Sequence, residues 1–289
     1  MPAQQGAGAD QSPSGGAAIG ANGASPKGPA SLGPSAGTLE ARQVRAMFDR
    51  VAVVYDLLNS VMSAGLHHRW RARAVDMARV GPGARVLDVA TGTGDLALEL
   101  ARRVAPGGAV VGADFSDRML ALASEKVVAA RGSGSLPADV ELRFEAANAL
   151  ALPHRDDEFD AATVGFGARN FSDLERGLAE LARVVRPGGR VVILEITTPT
   201  GPPLSTFLDL WFDRLIPVLG RLAGNADAYS YLPSSVRRFP SPESLAAIMW
   251  GVGLRSVSYT ITAGGIIALH VGEVAVTPPP GQDDERGKA

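Results

Sequence analysis

Hydrophobic and polar positions follow two different periods along the middle of this chain. Five short apolar runs have the length of buried strands, and the segments between them repeat apolar residues every three or four positions, as amphipathic helices do. The predicted strands are 85–90, 110–115, 140–146, 159–166 and 190–196, and the predicted helices are 96–104, 117–131 and 174–185. This alternation predicts an α/β fold with a parallel sheet covered on both faces.

The pattern changes on either side of this region. Before it, residues 39–79 carry a helical stripe of apolar positions that ends at Gly81-Pro82-Gly83, which predicts an N-terminal helical extension. After it, the pattern predicts a helix at 204–222, then a loop, a helix at 242–250, and strands at 254–262 and 266–275. Only Ala263-Gly264-Gly265 joins the last two strands. They are therefore predicted to form an antiparallel edge hairpin, because a parallel crossover needs a longer connection.

The two ends differ in composition from the rest of the 289-residue chain. Gly, Ala, Pro and Ser fill 28 of the first 37 positions, and the residues after Val276 are mostly Pro or polar. Such segments bury too little apolar area to offset the loss of about 1–2 kcal/mol of backbone entropy per residue on folding. The sequence therefore predicts disordered tails at 1–37 and 277–289 around one domain at 38–276.

Composition and charge argue against several classes of protein. A net charge of −2 gives no reason to expect a basic face for nucleic-acid phosphates. The absence of cysteine excludes disulfides and thiolate metal sites, and the four histidines lack metal-ligand spacing. The first residues lack the pattern of a secretory signal, and no apolar run is long enough to span a membrane. We therefore expect a cytoplasmic protein that binds neither nucleic acid nor a metal ion.

A glycine-rich turn follows the first predicted strand, at Asp88-Val-Ala-Thr-Gly-Thr-Gly-Asp95. Gly92 and Gly94 let a backbone turn sharply and approach a ligand closely. With Asp114 twenty residues on, they also satisfy a relaxed NAD fingerprint. The acidic residues at both ends of the turn disfavour a pyrophosphate and favour a cationic ligand, such as the ammonium and sulfonium groups of S-adenosylmethionine. The alternative for Asp95 is a helix N-terminal charge.

Two further polar residues follow predicted strands. Asp114 ends the second strand, where a carboxylate can accept hydrogen bonds from both ribose hydroxyls; its alternative role is to cap the next helix. Asn148-Ala149 follows the third strand, where adenine would lie, and an Asn amide can serve both the donor and the acceptor edge of that base. The alternative for Asn148 is an ordinary turn residue.

The sequence resembles the ubiquinone/menaquinone biosynthesis C-methyltransferase family, a branch of the class I methyltransferases, from about residue 44 to 272. The narrowest matching segments are Gly65-Leu-His-His-Arg-Trp70, Phe166-Gly-Ala-Arg-Asn170 and Tyr229-Ser-Tyr-Leu-Pro-Ser-Ser235. The resemblance implies a doubly wound, Rossmann-like, seven-stranded sheet with S-adenosylmethionine over the carboxyl ends of strands one to four. It carries donor contacts onto Thr93, Asp114, Asn148 and Ala149. Together with the residues of the turn, the predicted donor site is Asp88, Gly92, Thr93, Gly94, Asp114, Asn148 and Ala149.

The resemblance also implies methyl transfer to a ring carbon of a prenylated quinol. Loss of a hydroxyl proton spreads charge onto the ortho carbon, so the reaction needs two positioned substrates and one proton transfer, and no metal. Arg169 is expected at the carboxyl edge, as a fixed cation facing the developing phenolate or orienting a water; a structural Arg bound to loop carbonyls or a carboxylate is the alternative. His67 is the candidate base by residue type, and a polar residue packed by Trp70 is its alternative. Tyr229 and Tyr231 are candidates to bind quinol oxygens, and aromatic packing is their alternative role.

Several functions stay open at this stage. The rivals are a methyltransferase acting on RNA, protein or another small metabolite, a non-catalytic scaffold subunit for quinone synthesis, and an NAD-dependent oxidoreductase. Demethylmenaquinol is favoured over a ubiquinone-pathway benzoquinol, because the Ala-, Gly- and Arg-rich composition suggests a G+C-rich bacterium, where menaquinone is common. Peripheral contact with the inner face of a membrane and homo-oligomers are both compatible with the sequence.

Overall fold

A computed structural model describes residues 65–199, 201–202, 206 and 226–276 of the chain. These residues contain a seven-stranded sheet with the strand order β3-β2-β1-β4-β5-β7-β6. The strands are β1 Arg85–Val89, β2 Ala109–Asp114, β3 Glu141–Ala146, β4 Phe159–Gly165, β5 Val185–Ile196, β6 Leu254–Thr262 and β7 Ile267–Val274. The helices are α1 His67–Ala78, α2 Asp95–Val104, α3 Asp117–Gly132, α4 Leu174–Val184, α5 Ala226–Arg238 and α6 Pro242–Gly251.

Helices cover both faces of the sheet. On β1, Val86 packs into one core with residues of α1, α2 and α3, and the next residue, Leu87, packs into a second core with residues of α4 and α6. Both side chains are fully buried, and burial of each such side chain stabilises the fold by about 1.5–3 kcal/mol. The doubly wound architecture predicted from the sequence is confirmed.

The direction of chain progression across the sheet reverses between β1 and β4. Strand β1 pairs in parallel with β2 on one side and with β4 on the other, and the pairs β2–β3 and β4–β5 are also parallel. In open sheets of this kind, ligands bind where the order reverses, outside the carboxyl ends of the strands. The residues that follow β1, β2, β3 and β4 therefore form the edge at which a site is expected.

The antiparallel hairpin predicted at the edge of the sheet is confirmed. A single 3-10 turn at Ala263–Gly265 joins β6 to β7. The second strand of the hairpin is the inner one, because β7 pairs antiparallel with β5, with Ile193 opposite His270, and leaves β6 at the edge.

One predicted loop is wrong. The segment between 222 and 242 contains a helix, α5, although Pro233 lies inside it. Proline removes a backbone donor and costs about 3 kcal/mol in a helix interior, so the local sequence disfavours this helix. Tertiary contacts offset this cost, because Tyr231, Ser235 and Val236 are all buried.

Other predictions differ from the structure in smaller ways or fall outside it. Strand β5 begins before the predicted residue 190, because Val185 already pairs with Phe159 of β4. Helix α1 confirms the last part of the predicted N-terminal extension. Residues 39–64, the predicted helix at 204–222 and both predicted tails lie outside the described residues, apart from position 206. No helix in the described ranges has the length and apolarity needed to cross a membrane.

Candidate active site

The glycine turn connects β1 to α2 and needs glycine at Gly94. Gly92 and Gly94 have φ angles of +57° and +80°, in the left-handed region that L side chains rarely adopt. A Cβ atom at Gly94 would lie 2.8 Å from Cζ of Phe144 on β3. The backbone angle and the space beside Phe144 therefore both favour glycine directly before Asp95, where α2 begins.

Asp88 lies beneath this turn. Its carboxylate is buried and accepts one hydrogen bond from the Thr91 hydroxyl and one from the Thr163 hydroxyl, each at 2.6 Å. Burial raises the pKa of Asp88 to about 6, although both hydroxyls act in the opposite direction. Thr91 belongs to the turn and Thr163 to β4, so Asp88 ties the turn to the neighbouring strand. Its predicted contact with the donor stays a prediction, since Asp88 does not line the cavity that opens beside Asp114.

Replacing Asp88 with Asn should remove a pH dependence of stability. An unfolded Asp has a pKa of about 3.9, and burial raises that of folded Asp88 to about 6. The stabilising contribution of the neutral carboxyl is therefore complete at low pH and lost as the pH rises from about 4 to about 6, by about 3 kcal/mol in total. Urea unfolding of both proteins across this window measures the difference. Parallel profiles for the two proteins would contradict the raised pKa.

Asp114 connects the end of β2 to the glycine turn. One carboxylate oxygen accepts the backbone N–H of Gly92 and the other accepts the backbone N–H of Ser116, both at 2.9 Å. The side chain of Ser116 caps α3 by accepting from the Met119 N–H. The Asp114 carboxylate is thus held in one orientation at the carboxyl edge, where a ribose can reach it.

A cavity of about 320 Å³ opens beside Asp114. Its volume is within the range of small-molecule sites. The structure brings Asp114, Asn148 and Ala149 together in its lining, as predicted, and adds Asn170 after β4. The Asn148 amide oxygen accepts the Leu150 N–H at 3.0 Å, so this residue also makes the turn that was its alternative role. A carboxylate and an amide around a partly apolar cavity fit the ribose and adenine of an adenosine ligand.

Thr93 and Asp95 lie on the other side of the turn, in a cluster of charges. The Lys126 ammonium donates to the Thr93 hydroxyl at 2.9 Å and to the Asp95 carboxylate at 2.6 Å. The second Asp95 oxygen is 2.8 Å from Nη1 of Arg71. Burial acts to raise the pKa of Asp95, but the charges of Arg71 and Lys126 outweigh it, and the pKa is lowered. Asp95, which the sequence suggested would attract a cationic ligand, is therefore already paired with two cations of the protein.

Arg169 lies in a 3-10 turn just after β4, where its backbone and side chain both bind Glu195. Nη1 donates to the Glu195 carboxylate at 2.6 Å and to the Phe166 carbonyl at 2.5 Å, and the backbone N–H donates to the second Glu195 oxygen at 3.2 Å. Both side chains are buried. Arg169 therefore lies at the predicted edge of the sheet and binds a carboxylate and a loop carbonyl, as its alternative structural role requires. A catalytic role stays a prediction.

His67 is the first residue of α1 and is buried. Its ring lies 4.0 Å from that of His68, and its charge contributes to the lowered pKa of Asp95. His67 is not part of the lining of the cavity, so the structure groups it with Asp95 rather than with Asn148. Its predicted role as a base stays a prediction.

The sequence did not identify Glu195 or Asn170 as site residues. Glu195 is a single carboxylate near the end of an apolar strand, and a charge in such a run signals a buried partner. Asn170 lines the cavity, and its amide oxygen accepts a hydrogen bond from the Tyr231 hydroxyl at 3.1 Å. This bond joins α5 to the turn that follows β4. Burial raises the pKa of Tyr231, so its hydroxyl keeps its proton at neutral pH.

A second cavity, of about 470 Å³, lies at the opposite edge of the sheet, at the amino ends of the strands. Two of its arginines are paired with carboxylates, Arg186 with Asp160 and Arg190 with Glu273, each at 2.5 Å. We assign the functional site to the smaller cavity, because ligands of parallel α/β sheets bind at the carboxyl ends of the strands.

A doubly wound sheet with an antiparallel edge hairpin carries, at its carboxyl edge, a glycine turn, a carboxylate after the second strand and a cavity suited to adenosine. This combination is that of the class I methyltransferases, whose methyl donor is S-adenosylmethionine. The solved structure of a SAM-dependent methyltransferase from Aquifex aeolicus has this fold. It covers 82% of this chain and 100% of its own with a TM-score of 0.51 at 18% identity.

The sequence comparisons identify the family. The profile of the ubiE/COQ5 methyltransferase family matches residues 37–274, and the chain belongs to this family. The demethylmenaquinone methyltransferase of Thermus thermophilus is 50% identical over 228 residues, which are 78% of this chain and 99% of the relative. The ubiquinone/menaquinone biosynthesis C-methyltransferase UbiE of Geobacter sulfurreducens is 43% identical over 236 residues, 82% of this chain and 90% of the relative. The protein is therefore a methyltransferase that uses S-adenosylmethionine, as the resemblance predicted.

Proposed function

We propose that this methyltransferase adds a methyl group to a ring carbon of a prenylated quinol and converts demethylmenaquinol to menaquinol. The observation that carries the proposal is the 50% identity to a demethylmenaquinone methyltransferase along nearly the whole of that relative. The benzoquinol of the ubiquinone pathway is the second candidate, because the name of the 43% identical relative includes both quinones.

The residues of the site support donor binding without a metal. The donor supplies its methyl group from a positively charged sulfonium. Asp114, fixed by the backbone of Gly92 and Ser116, accepts the ribose hydroxyls, while Asn148 and Ala149 line the space for adenine. The backbone of the glycine turn is accessible between these contacts and the start of α2. A Cβ atom at Gly92 would meet no atom within 4 Å, so there is space for a ligand beside this residue.

Arg169 is the proposed catalytic cation. A guanidinium keeps its proton at any ordinary pH, so Arg169 cannot act as the base. Held by Glu195 and the Phe166 carbonyl, it can face the charge that develops on the quinol oxygen without moving during the reaction. His67 remains the proposed base. Loss of a neutral-range limb from the pH profile of His67→Asn would identify this role.

The proposed domain boundaries and location follow the same family assignment. The match of the family profile to residues 37–274 supports a catalytic domain at 38–276 with dispensable tails at 1–37 and 277–289. A large loss of thermal stability or turnover on removing both tails would contradict that division. The protein is proposed to lie in the cytoplasm, and a long apolar prenyl substrate is the reason to propose its peripheral contact with a membrane.

An assay of the purified full chain with methyl-labelled donor tests the proposed substrate. We expect label in the ring of demethylmenaquinol, with a lower kcat/KM for the demethylated benzoquinol. Thermal shift with S-adenosylhomocysteine and with NAD separates the donor from the rival cofactor, because a ligand that binds only the folded state raises the midpoint. Stabilisation by S-adenosylhomocysteine with no transfer to either quinol would leave the donor assignment intact and refute the proposed acceptor.

A further inference from the structure

Arg71, Lys126 and Asp95 form a charge cluster at the start of α2. Arg71 and Lys126 contact one oxygen each of the Asp95 carboxylate, at 2.8 and 2.6 Å. The cluster lies in the first turn of the ten-residue helix α2, whose N-terminus adds positive potential. The side of the glycine turn that appeared acidic in the sequence therefore also carries two cations.

Arg71 is the most deeply buried of these three charged side chains. Its side chain is 8% exposed, whereas those of Asp95 and Lys126 are 25% and 30% exposed. A guanidinium has five N–H donors, more than one carboxylate oxygen can accept. Burying such a group is costly unless its charge and donors are satisfied. A second carboxylate at this position would satisfy both needs.

The cluster is separated from the proposed ribose site only by the glycine turn. Asp114 binds the N–H of Gly92 at one end of the turn, and Lys126 binds the hydroxyl of Thr93 at the next residue. The methyl donor has an adenosine at one end and an amino acid, with a free carboxylate, at the other. With the adenosine beside Asp114, a donor that crosses the turn brings its amino-acid end to Asp95 and Arg71.

We propose that Arg71 binds the α-carboxylate of the methyl donor, and that Lys126 holds Asp95 and Thr93 in place beside it. Arg71 then determines specificity for a donor with an intact amino-acid end. The inference rests on the use of S-adenosylmethionine and is independent of the acceptor quinol.

Calorimetry with two ligands tests this inference on the full chain. S-adenosylhomocysteine carries the carboxylate, and its decarboxylated analogue lacks only that group. We expect wild-type protein to bind the first ligand about tenfold to a hundredfold more tightly, the scale of one charge-assisted hydrogen-bonded pair. Arg71→Gln should lose most of this preference by weakening the first ligand alone, and Arg71→Lys should retain part of it. Equal affinity of wild-type protein for the two ligands would overturn the proposal.

Controls separate recognition from structural support. Arg73→Gln changes an exposed arginine on the same helix and should leave both affinities unchanged. If Arg71→Gln weakens both ligands by the same factor, Arg71 supports the turn and does not read the carboxylate, which also overturns the proposal. Because the preference of the wild-type protein is measured without any substitution, instability of a variant cannot hide the answer. None of these measurements uses the acceptor, so their failure is distinct from failure of the proposed quinol.

Discussion

Arg169→Met is expected to lower the free energy of unfolding by about 3–5 kcal/mol, the usual cost of removing one partner of a buried ion pair. The reason is that Glu195, which is 1% exposed, would lose the guanidinium that compensates its carboxyl group in the core. In the folded, donor-bound fraction, we also expect the single-turnover rate to fall by roughly 10²–10³-fold, the scale for loss of one group that stabilises an oxyanion. Chemical unfolding and single-turnover assays measure the two effects separately.

The double variant Arg169→Met/Glu195→Gln distinguishes a catalytic cation from a structural clamp. Glu195 now accepts the backbone N–H groups of Arg169 and Ile196 on separate oxygens. Glutamine keeps one acceptor oxygen for one of these N–H groups and brings no charge into the core. We expect the double variant to recover part of the stability lost in the single variant. If its rate per folded enzyme stays low, Arg169 acts on the reaction; a near-wild-type rate would end the catalytic proposal. Arg169→Lys, which keeps the charge and loses the planar fork, should retain partial activity.

Asp114→Ala is expected to weaken binding of S-adenosylhomocysteine by about 1.5–3 kcal/mol, the range for a lost charge-assisted hydrogen bond. The variant removes the ribose acceptor and also leaves the N–H groups of Gly92 and Ser116 without their carboxylate. Donor affinity should therefore fall more than kcat at saturating donor. Calorimetry of the folded variant gives the loss directly.

Two further substitutions make the Asp114 measurement specific. Asp114→Asn keeps an amide oxygen for one backbone N–H and should bind more weakly than wild-type protein but more tightly than Asp114→Ala. Glu125→Gln removes an exposed carboxylate from α3 and should leave the affinity unchanged, which controls for net charge. Unchanged affinity in Asp114→Ala would refute its assignment to the ribose.

The sequence determined the architecture and the edge on which the site lies. Alternation of short apolar runs with helical segments depends on local periodicity, and a short connection dictates an antiparallel hairpin whatever surrounds it. Because parallel strands end at one edge, residues that follow successive strands converge there. For this reason the sequence predicts that Asp114, Asn148 and Ala149 lie close together, and in the structure they line one cavity.

Only the tertiary structure decided how the charges are paired. The sequence placed acidic residues around the glycine turn and suggested attraction for a cation, but Arg71 and Lys126, which meet Asp95, lie on two other helices. Arg169, in the turn after β4, likewise pairs with Glu195 on the neighbouring strand β5. Local patterns predict which faces of helices and strands are buried, but they do not predict which buried charges form pairs between distant segments. The same limit explains α5, where Tyr231 packs and bonds to Asn170, a residue 61 positions away, and so helps a helix persist through Pro233.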